Sequence, residues 1–495
     1  MKFNRFALSL LAFLAGSIAV RGFAPFSFFP LPIFALAILF AQWLNAASAR
    51  VAAWIGFMFG LGLFGVGVGW IYVALHDYGD MPMPLAALAT LLFAAFLALF
   101  PALAGYAQAK LRAVAWVRVT LLMPALWVLF EWLRGTLFTG FPWLTFGYSQ
   151  AAASPLAGYA PILGVYGVSL IVAASAGLFA LLWLMRWNRA GKIAWAVLVA
   201  LWVLGLALRT VAWTQPQGDL LKVALLQGNI AQEIKFQQSE LDKTLATYAR
   251  MIQQSDARLI VLPETALPVL PGELPQDYLA KLGEHARNNG SDILIGAFET
   301  DHGAYYNSVF TLGASASQSY RKNHLVPFGE FIPWRAALGW LINDVLNIPM
   351  GDLARGGIDQ LPLNVAGQKI AVDICYEDVF GEEIIRALPA ATLLVNVTND
   401  AWYGRSAAAM QHNQIAQMRA LETGRMILRA TNTGVTSVIA PDGHILHMLP
   451  QHEENTLTAT VQGYGGSTPY VRWGNAPALL LIALMIALGW RLRGR

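Results

Sequence analysis

Lys369-Ile-Ala-Val-Asp-Ile-Cys375-Tyr-Glu-Asp378 carries the only cysteine of this 495-residue chain. Its alternating apolar run reads as a β-strand, and Gly381-Glu-Glu-Ile-Ile-Arg-Ala-Leu388 behind it reads as a helix. A thiol at a strand end, with acids directly behind it, is a usual place for a nucleophile. A free cysteine buried as a small core hydrophobe would give the same stretch, so the stretch alone leaves both readings open.

The same alternation of short strands and amphipathic helices extends on both sides. Val223–Gln227, Leu259–Leu262, Ile293–Ala297, Ser308–Leu312, Ile370–Cys375 and Leu393–Val397 read as strands, and Ser239–Gln254, Asp277–Asn288 and Gln411–Met426 as helices. Pro441-Asp-Gly443, between Thr433–Ala440 and His444–Met448, is a hairpin turn signal. About 250 residues in this order suit one α/β domain with helices outside a sheet core. No internal repeat or low-complexity tract interrupts it.

The rest of the chain is of another kind. Overall, 57% of residues are hydrophobic and 13% charged, far from an ordinary soluble composition. Eight apolar stretches account for this, at about 6–21, 24–44, 52–75, 84–108, 117–133, 161–185, 192–213 and 474–490, most of them near the ~20 residues that cross a bilayer as a helix. The first follows Lys2 and Arg5 but lacks a small-x-small cleavage site, so it is expected to remain as a span. Domain boundaries follow: a seven-span membrane domain over 1–215, an extracytoplasmic α/β domain over 216–468, and an eighth helix with a tail over 469–495.

Charge assigns an orientation. Residues 1–215 carry 12 Lys/Arg against three acids, whereas 216–473 carry 18 against 26. The basic balance therefore flanks membrane segments and is not a nucleic-acid footprint. With the N-terminus cytoplasmic, inside loops hold twelve Lys/Arg and outside short loops only Arg21 and Arg134. Both termini are then cytoplasmic and the polar domain lies outside. A single cysteine there has no internal disulfide partner and is kept as a free thiol.

Three polar-domain segments carry chemistry. Leu262-Pro-Glu264-Thr places a carboxylate just past a strand. Tyr320-Arg-Lys322-Asn-His-Leu-Val-Pro-Phe-Gly-Glu330 places an amine and a second carboxylate in a Pro/Gly-shaped loop, and Ile374-Cys375-Tyr376-Glu377 presents the thiol. Each alone is weak; in this order, each at a strand end or adjoining loop, they reinforce one another. A thiol of pKa near ~8.5 needs a base at neutral pH. Glu264 can take its proton and later return it as general acid. Lys322 can stabilise an oxyanion together with an N–H just after Cys375. Glu330 can hold Lys322 or share the proton work, and Glu377 can shape the field of the base. The eight histidines show no metal-ligand spacing, no glycine loop cradles phosphate, and no metal or cofactor is expected.

Glu264, Lys322 and Cys375 with these flanks resemble the Glu–Lys–Cys triad of the nitrilase (carbon–nitrogen hydrolase) superfamily. Lys322-Asn-His-Leu-Val-Pro-Phe-Gly-Glu330, Cys375-Tyr-Glu377, Asn399-Asp-Ala-Trp-Tyr-Gly404 and the eight apolar stretches narrow the resemblance to the apolipoprotein N-acyltransferase family. So do Glu131-Trp-Leu-Arg-Gly135 and Gly140-Phe-Pro-Trp-Leu144 in the membrane part. The resemblance implies an αββα nitrilase-like sandwich and a thioester acyl-enzyme. It also implies a phospholipid acyl donor, a diacylglyceryl-apolipoprotein acceptor, and residence in the bacterial inner membrane with a periplasmic catalytic domain. Supporting roles fall to Glu330, Tyr376 and Glu377. Trp402, Tyr403, Trp143 and Phe236 become substrate-binding candidates, although interfacial aromatics would look the same. Lys235-Phe236 stands where the family often carries Lys-Trp, which keeps an apolar face but loses an indole N–H.

Other expectations remain open. Glu131 and Arg134 read as a pair holding the following loop or as a functional intramembrane site. Residues 331–350 are strongly apolar but too short and interrupted to span, so they read as a core helix or an interfacial arm. A monomer is expected, no oligomer signal being visible. The rival functions are a membrane-anchored amidase using water as acceptor, which does not need eight spans, and a transporter. The latter should place ionisable groups at the bilayer midplane, where only Glu131, near a helix end, is available.

Overall fold

A computed structural model describes residues 5–185, 188–333 and 352–494. Most of the apolar segment 331–350 lies outside the described residues. The chain divides into two compact units: residues 1–212 with 406–422 and 468–495, and residues 213–405 with 423–467.

In the first unit, six helices are long and apolar enough to cross a membrane: Arg5–Gly22, Ala49–Gly67, Met83–Lys110, Ala115–Thr139, Pro155–Trp183 and Arg189–Leu208. Two further apolar helices, Pro30–Leu44 and Ala476–Arg491, are shorter, at 15 and 16 residues. Helix start and stop signals explain the trimming. The stretch expected from residue 24 stays non-helical through Pro25 and Ser27 and becomes helical only at Pro30. The one expected over 52–75 breaks after Gly67 and resumes as the short helix Ile71–His76. Close helix packing relies on missing side chains: a Cβ on Gly56 would sit 2.4 Å from the Pro101 carbonyl oxygen.

Glu131 and Arg134 are both buried, and both hold the loop that follows them. Glu131 accepts from the Phe146 N–H at 3.0 Å and from the Ser169 hydroxyl. Arg134 donates to the carbonyls of Phe141 and Trp143 and to the Thr145 hydroxyl. The helix Ala408–Thr423 also packs in this unit. Its Gln411 Oε1 accepts the indole N–H groups of Trp143 at 2.7 Å and Trp70 at 3.2 Å.

The second unit is built on two six-stranded sheets. In the first the order is Asn455–Val461, Leu221–Gln227, Leu259–Val261, Asp292–Asp301, Ala304–Gly313, Ser319–Arg321. In the second it is Ile445–Met448, Ser437–Ile439, Ile427–Thr431, Leu393–Thr398, Gln368–Ile374, Leu363–Val365. Each sheet has a parallel centre flanked by antiparallel edges. Val223, Leu225 and Val261 of one sheet share a core with Ile370, Val395 and Leu428 of the other. The opposite face of the first sheet, through Ala224, Ile260 and Ile293, packs on Leu241, Leu245 and Leu282 of the helices Gln238–Gln253 and Tyr278–Asn288. Strands buried on both faces need continuous apolar runs, which is what the central strands carry. The helix expected over Gly381–Leu388 is one turn, Gly381–Ile384, followed by a 3-10 turn that stops before Pro389.

Candidate active site

Carboxyl ends of parallel strands are where open α/β sheets place ligands, and the sequence-singled groups collect there. Glu264 follows Leu259–Val261, Cys375 follows Gln368–Ile374, and Asn399 follows Leu393–Thr398. Lys322 follows the edge strand Ser319–Arg321.

Cys375 sits at φ +53°, a left-handed conformation that costs a non-glycine residue of order 1 kcal/mol or more. Glu377 holds the turn in that shape. Its Oε2 accepts the Ile374 N–H at 2.7 Å and the Tyr320 hydroxyl at 2.9 Å, and its Oε1 accepts the N–H groups of Asn323 at 2.7 Å and His324 at 3.0 Å. One carboxylate thereby joins the thiol turn to the loop carrying Lys322. Burial pushes the Glu377 carboxyl up, against the pull of these N–H donors and of Lys322. Tyr376 is buried, its ring edge-on to His324 and Phe380.

Lys322 is 1% exposed and lies between two carboxylates, with Nζ 2.8 Å from Glu330 Oε1 and 3.3 Å from Glu264 Oε1. Burial works to lower its pKa. Glu264, Glu330 and the Cys375 sulfur outweigh burial and hold the ammonium well above its ordinary value. Glu330 is fixed in turn by the Val326 N–H at 2.8 Å. Burial first, and then the charge of Glu264, push the Cys375 thiol well up, while Lys322 pulls it down. Burial and the neighbouring carboxylate charge therefore favour the thiol over the thiolate at Cys375.

Glu264 meets three donors: Asn307 Nδ2 at 2.7 Å and Lys322 Nζ on Oε1, and the Asn399 N–H at 2.8 Å on Oε2. A carboxylate offers about four acceptor positions, so one position on Oε2 remains for a proton. The approach of this segment to the neighbouring strand needs Gly296, where a Cβ would lie 2.3 Å from the Pro263 carbonyl oxygen and 2.9 Å from the Glu264 Cα.

Asn307 and Arg429 are residues of the site that the sequence did not disclose, and Asn399, quoted only within the Asn399–Gly404 motif, is given no role there. Arg429 is fully buried in the strand Ile427–Thr431. It donates to Asp378 at 2.9 Å, to Asn396 Oδ1 at 2.7 Å and to Asp400 at 3.1 Å. It thus ties the turn after Cys375 to the Asp400–Tyr403 turn. An arginine within an otherwise all-buried strand was the available signal, because a buried cation must be paired. Arg429→Met is expected to cost about 3–5 kcal/mol, since two buried carboxylates lose their partner. Arg429→Lys should recover only part of this, a point charge being unable to fork across three acceptors. Unfolding of the purified variants in detergent checks both.

The substrate-binding candidates are less uniform. Phe236 is 53% and Trp402 42% exposed. Tyr403 is an electrostatic neighbour of Cys375 and Asp400, and burial first pushes its hydroxyl well up. Trp143 is buried in the first unit on Gln411.

Comparisons with known proteins agree with this arrangement. The apolipoprotein N-acyltransferase N-terminal domain family matches residues 15–178, and the carbon–nitrogen hydrolase family matches 222–470. Apolipoprotein N-acyltransferase of Nitrosomonas europaea is 53% identical, over 98% of this chain and 97% of that protein. The same-named proteins of Ralstonia nicotianae and Methylococcus capsulatus are 47% and 44% identical, over 99% and 98% of this chain and 94% and 96% of theirs. With a thiol, an amine and a carboxylate brought together in a carbon–nitrogen hydrolase domain, and relatives of this identity along nearly the whole chain, the protein belongs to the apolipoprotein N-acyltransferase family.

Proposed function

We propose that this protein moves a fatty acyl chain from a membrane phospholipid to the α-amino group of an S-diacylglyceryl cysteine at the N-terminus of an apolipoprotein, through a thioester on Cys375. The observation that carries this reading is the Lys322 ammonium bonded to Glu264, with both acting electrostatically on the Cys375 sulfur, in a chain that also holds six membrane-length apolar helices. Both substrates live in the bilayer, and so does the enzyme.

In the first half-reaction Glu264 takes the thiol proton on Oε2 as sulfur attacks the ester carbonyl. The oxyanion forms against Lys322 and the Tyr376 N–H. The C–O bond breaks, and the proton on Glu264 passes to the lysophospholipid oxygen. In the second, the neutral amine attacks the thioester, a C–N bond replaces the C–S bond, and the amine proton travels through Glu264 to the departing thiolate. Glu330 keeps Lys322 in place, and Tyr376 and Glu377 shape the nucleophile turn. Phe236, Trp402 and Tyr403 serve as apolar substrate contacts.

Eight spans are part of the reading, with the two shorter helices crossing as well and 1–215, 216–468 and 469–495 as the functional divisions. An αββα order for the catalytic domain, the bacterial inner membrane, cytoplasmic termini, a periplasmic domain and a monomer complete it. The twelve-to-two charge asymmetry supports the orientation. Reporter fusions after Thr214 and within 216–473 should read outside, and those after Arg189 and at Arg495 inside; a cytoplasmic signal from the polar domain overturns the orientation.

Mass spectrometry of the purified protein with phospholipid tests the chemistry. A fatty-acyl adduct on Cys375 that persists until an amine-bearing lipopeptide arrives is expected. Rapid turnover to free fatty acid would mean a hydrolase using water, and absence of any adduct would sink the thioester.

A further inference from the structure

A second buried amine adjoins the site, and the chemistry above does not use it. Lys235 lies in the loop between the strand Leu221–Gln227 and the helix Gln238–Gln253, and it is 2% exposed. Its Nζ donates to Thr265 Oγ1 at 2.6 Å and to the main-chain oxygen of Glu264 at 3.2 Å. Thr265 is itself in a left-handed conformation at φ +46°. The amine therefore grips the strained turn that carries Glu264 through its main-chain oxygen, whereas the three donors above hold its carboxylate oxygens. Burying an ammonium costs several kcal/mol, and a neutral donor could close the same turn. What a neutral donor would lack is charge beside Glu264 and Cys375.

Those two groups are the titratable neighbours that act on Lys235, from the turn after Leu259–Val261 and the end of Gln368–Ile374. Lys322 and Glu330 stand beyond the Glu264 carboxylate, and Glu233 on its own loop is exposed. Burial lowers the Lys235 pKa to about 8, against the upward pull of Glu264 and Cys375.

We propose that Lys235 is a second cation of the active site, a positioning residue that fixes Glu264 through its main chain and whose charge favours the thiolate of Cys375 during acylation. The proposal rests on the Cys375–Glu264–Lys322 reading. It needs no new bond and no co-reactant: the thiol proton still goes to Glu264, and Lys235 keeps its own proton throughout.

The test is the single-turnover rate of thioester formation on Cys375, from pH 6 to 10, for the full-length wild type, Lys235→Arg and Lys235→Met in detergent with a defined phosphatidylethanolamine. The wild-type rate should fall as pH rises through about 8, because the ammonium loses its proton there. Lys235→Met should be roughly 10–100-fold slower at pH 7, the effect of one nearby charge in a poorly screened site, and should lack that fall. Lys235→Arg should stay within a few-fold of wild type at pH 7 and hold its rate to pH 10, since a guanidinium does not titrate there. A purely structural lysine would lower the rate without changing the profile, so a Lys235→Met profile parallel to wild type overturns the proposal. If that variant does not fold, a wild type without the fall, or a Lys235→Arg that keeps it, overturns the proposal as well. Wild type that forms no adduct at any pH overturns the thioester reading itself, and the two failures are thereby distinct.

Discussion

Cys375→Ser is expected to leave no measurable acyl transfer while the protein stays folded and inserted. Sulfur and oxygen differ little in volume, and the serine would occupy the same left-handed turn at φ +53°. Glu377 and its four donors, which shape that turn, do not involve the exchanged atom. The chemistry differs by far more. Even the thiol is held above its ordinary value by burial and by Glu264, and a hydroxyl is intrinsically several units harder to ionise. The proposed base, Glu264, is a carboxylate with three donors already on it, whereas serine nucleophiles depend on a histidine or lysine base. An oxygen ester, once formed, would also resist the amine that a thioester admits. Transfer of a labelled acyl chain to a lipopeptide, with adduct mass spectrometry, measures this. Substantial residual transfer would rule out Cys375 as the nucleophile.

How far the sequence disclosed this site depends on how local each signal is. Strand runs such as Ile293–Ala297 carry their own periodicity, and six of them stand where the pattern puts them, longer or shorter by a few residues. Glu264, Lys322 and Cys375 were legible because each stands beside a strand end, a place a reader can locate. Asn307 was not, since its approach to Glu264 depends on the register that pairs Ala304–Gly313 with Asp292–Asp301 across a tight turn. Arg429 is 51 residues from Asp378 and joins it through the parallel pairing of Ile427–Thr431 with Leu393–Thr398 and of that strand with Gln368–Ile374. The edge strand Asn455–Val461 was missed because its alternation is Thr against small apolar residues, a weak contrast until it pairs with Leu221–Gln227. Apolar stretches gave the membrane helices but overran helix ends at 24–44 and 52–75, because hydropathy does not register Pro25 or the glycines around 67, where the backbone stops being helical. The packing of Ala408–Thr423 with the membrane helices was also hidden: its Gln411, Gln414 and Glu422 read as ordinary helix surface, and yet they are buried.

Lys322→Ala should slow thioester formation by about 10²–10³, the usual cost of removing one oxyanion-stabilising group. Two effects act in the same direction. The developing oxyanion loses its fixed cation, and the thiol loses a charge that favours its ionisation against Glu264, Asp400 and Glu330. A third consequence separates this variant from others. Glu264 and Glu330 both bond the same ammonium, at 3.3 and 2.8 Å, and without it the buried Glu264 and the part-buried Glu330 share only the Asn307 amide. The two carboxylates then repel each other with no cation between them, which disturbs the placement of Glu264 as well as removing the oxyanion's partner. Glu264→Gln should lose acylation by a different route, since the amide cannot accept the thiol proton, and its residual rate should follow the ionisation of the thiol itself. Phospholipid binding should survive both changes, because the acyl chain contacts apolar surface and not these groups. Single-turnover acylation in detergent over a pH series, beside a lipid-binding measurement, distinguishes the two. Either variant acylating Cys375 at the wild-type rate would reduce that residue to a structural role.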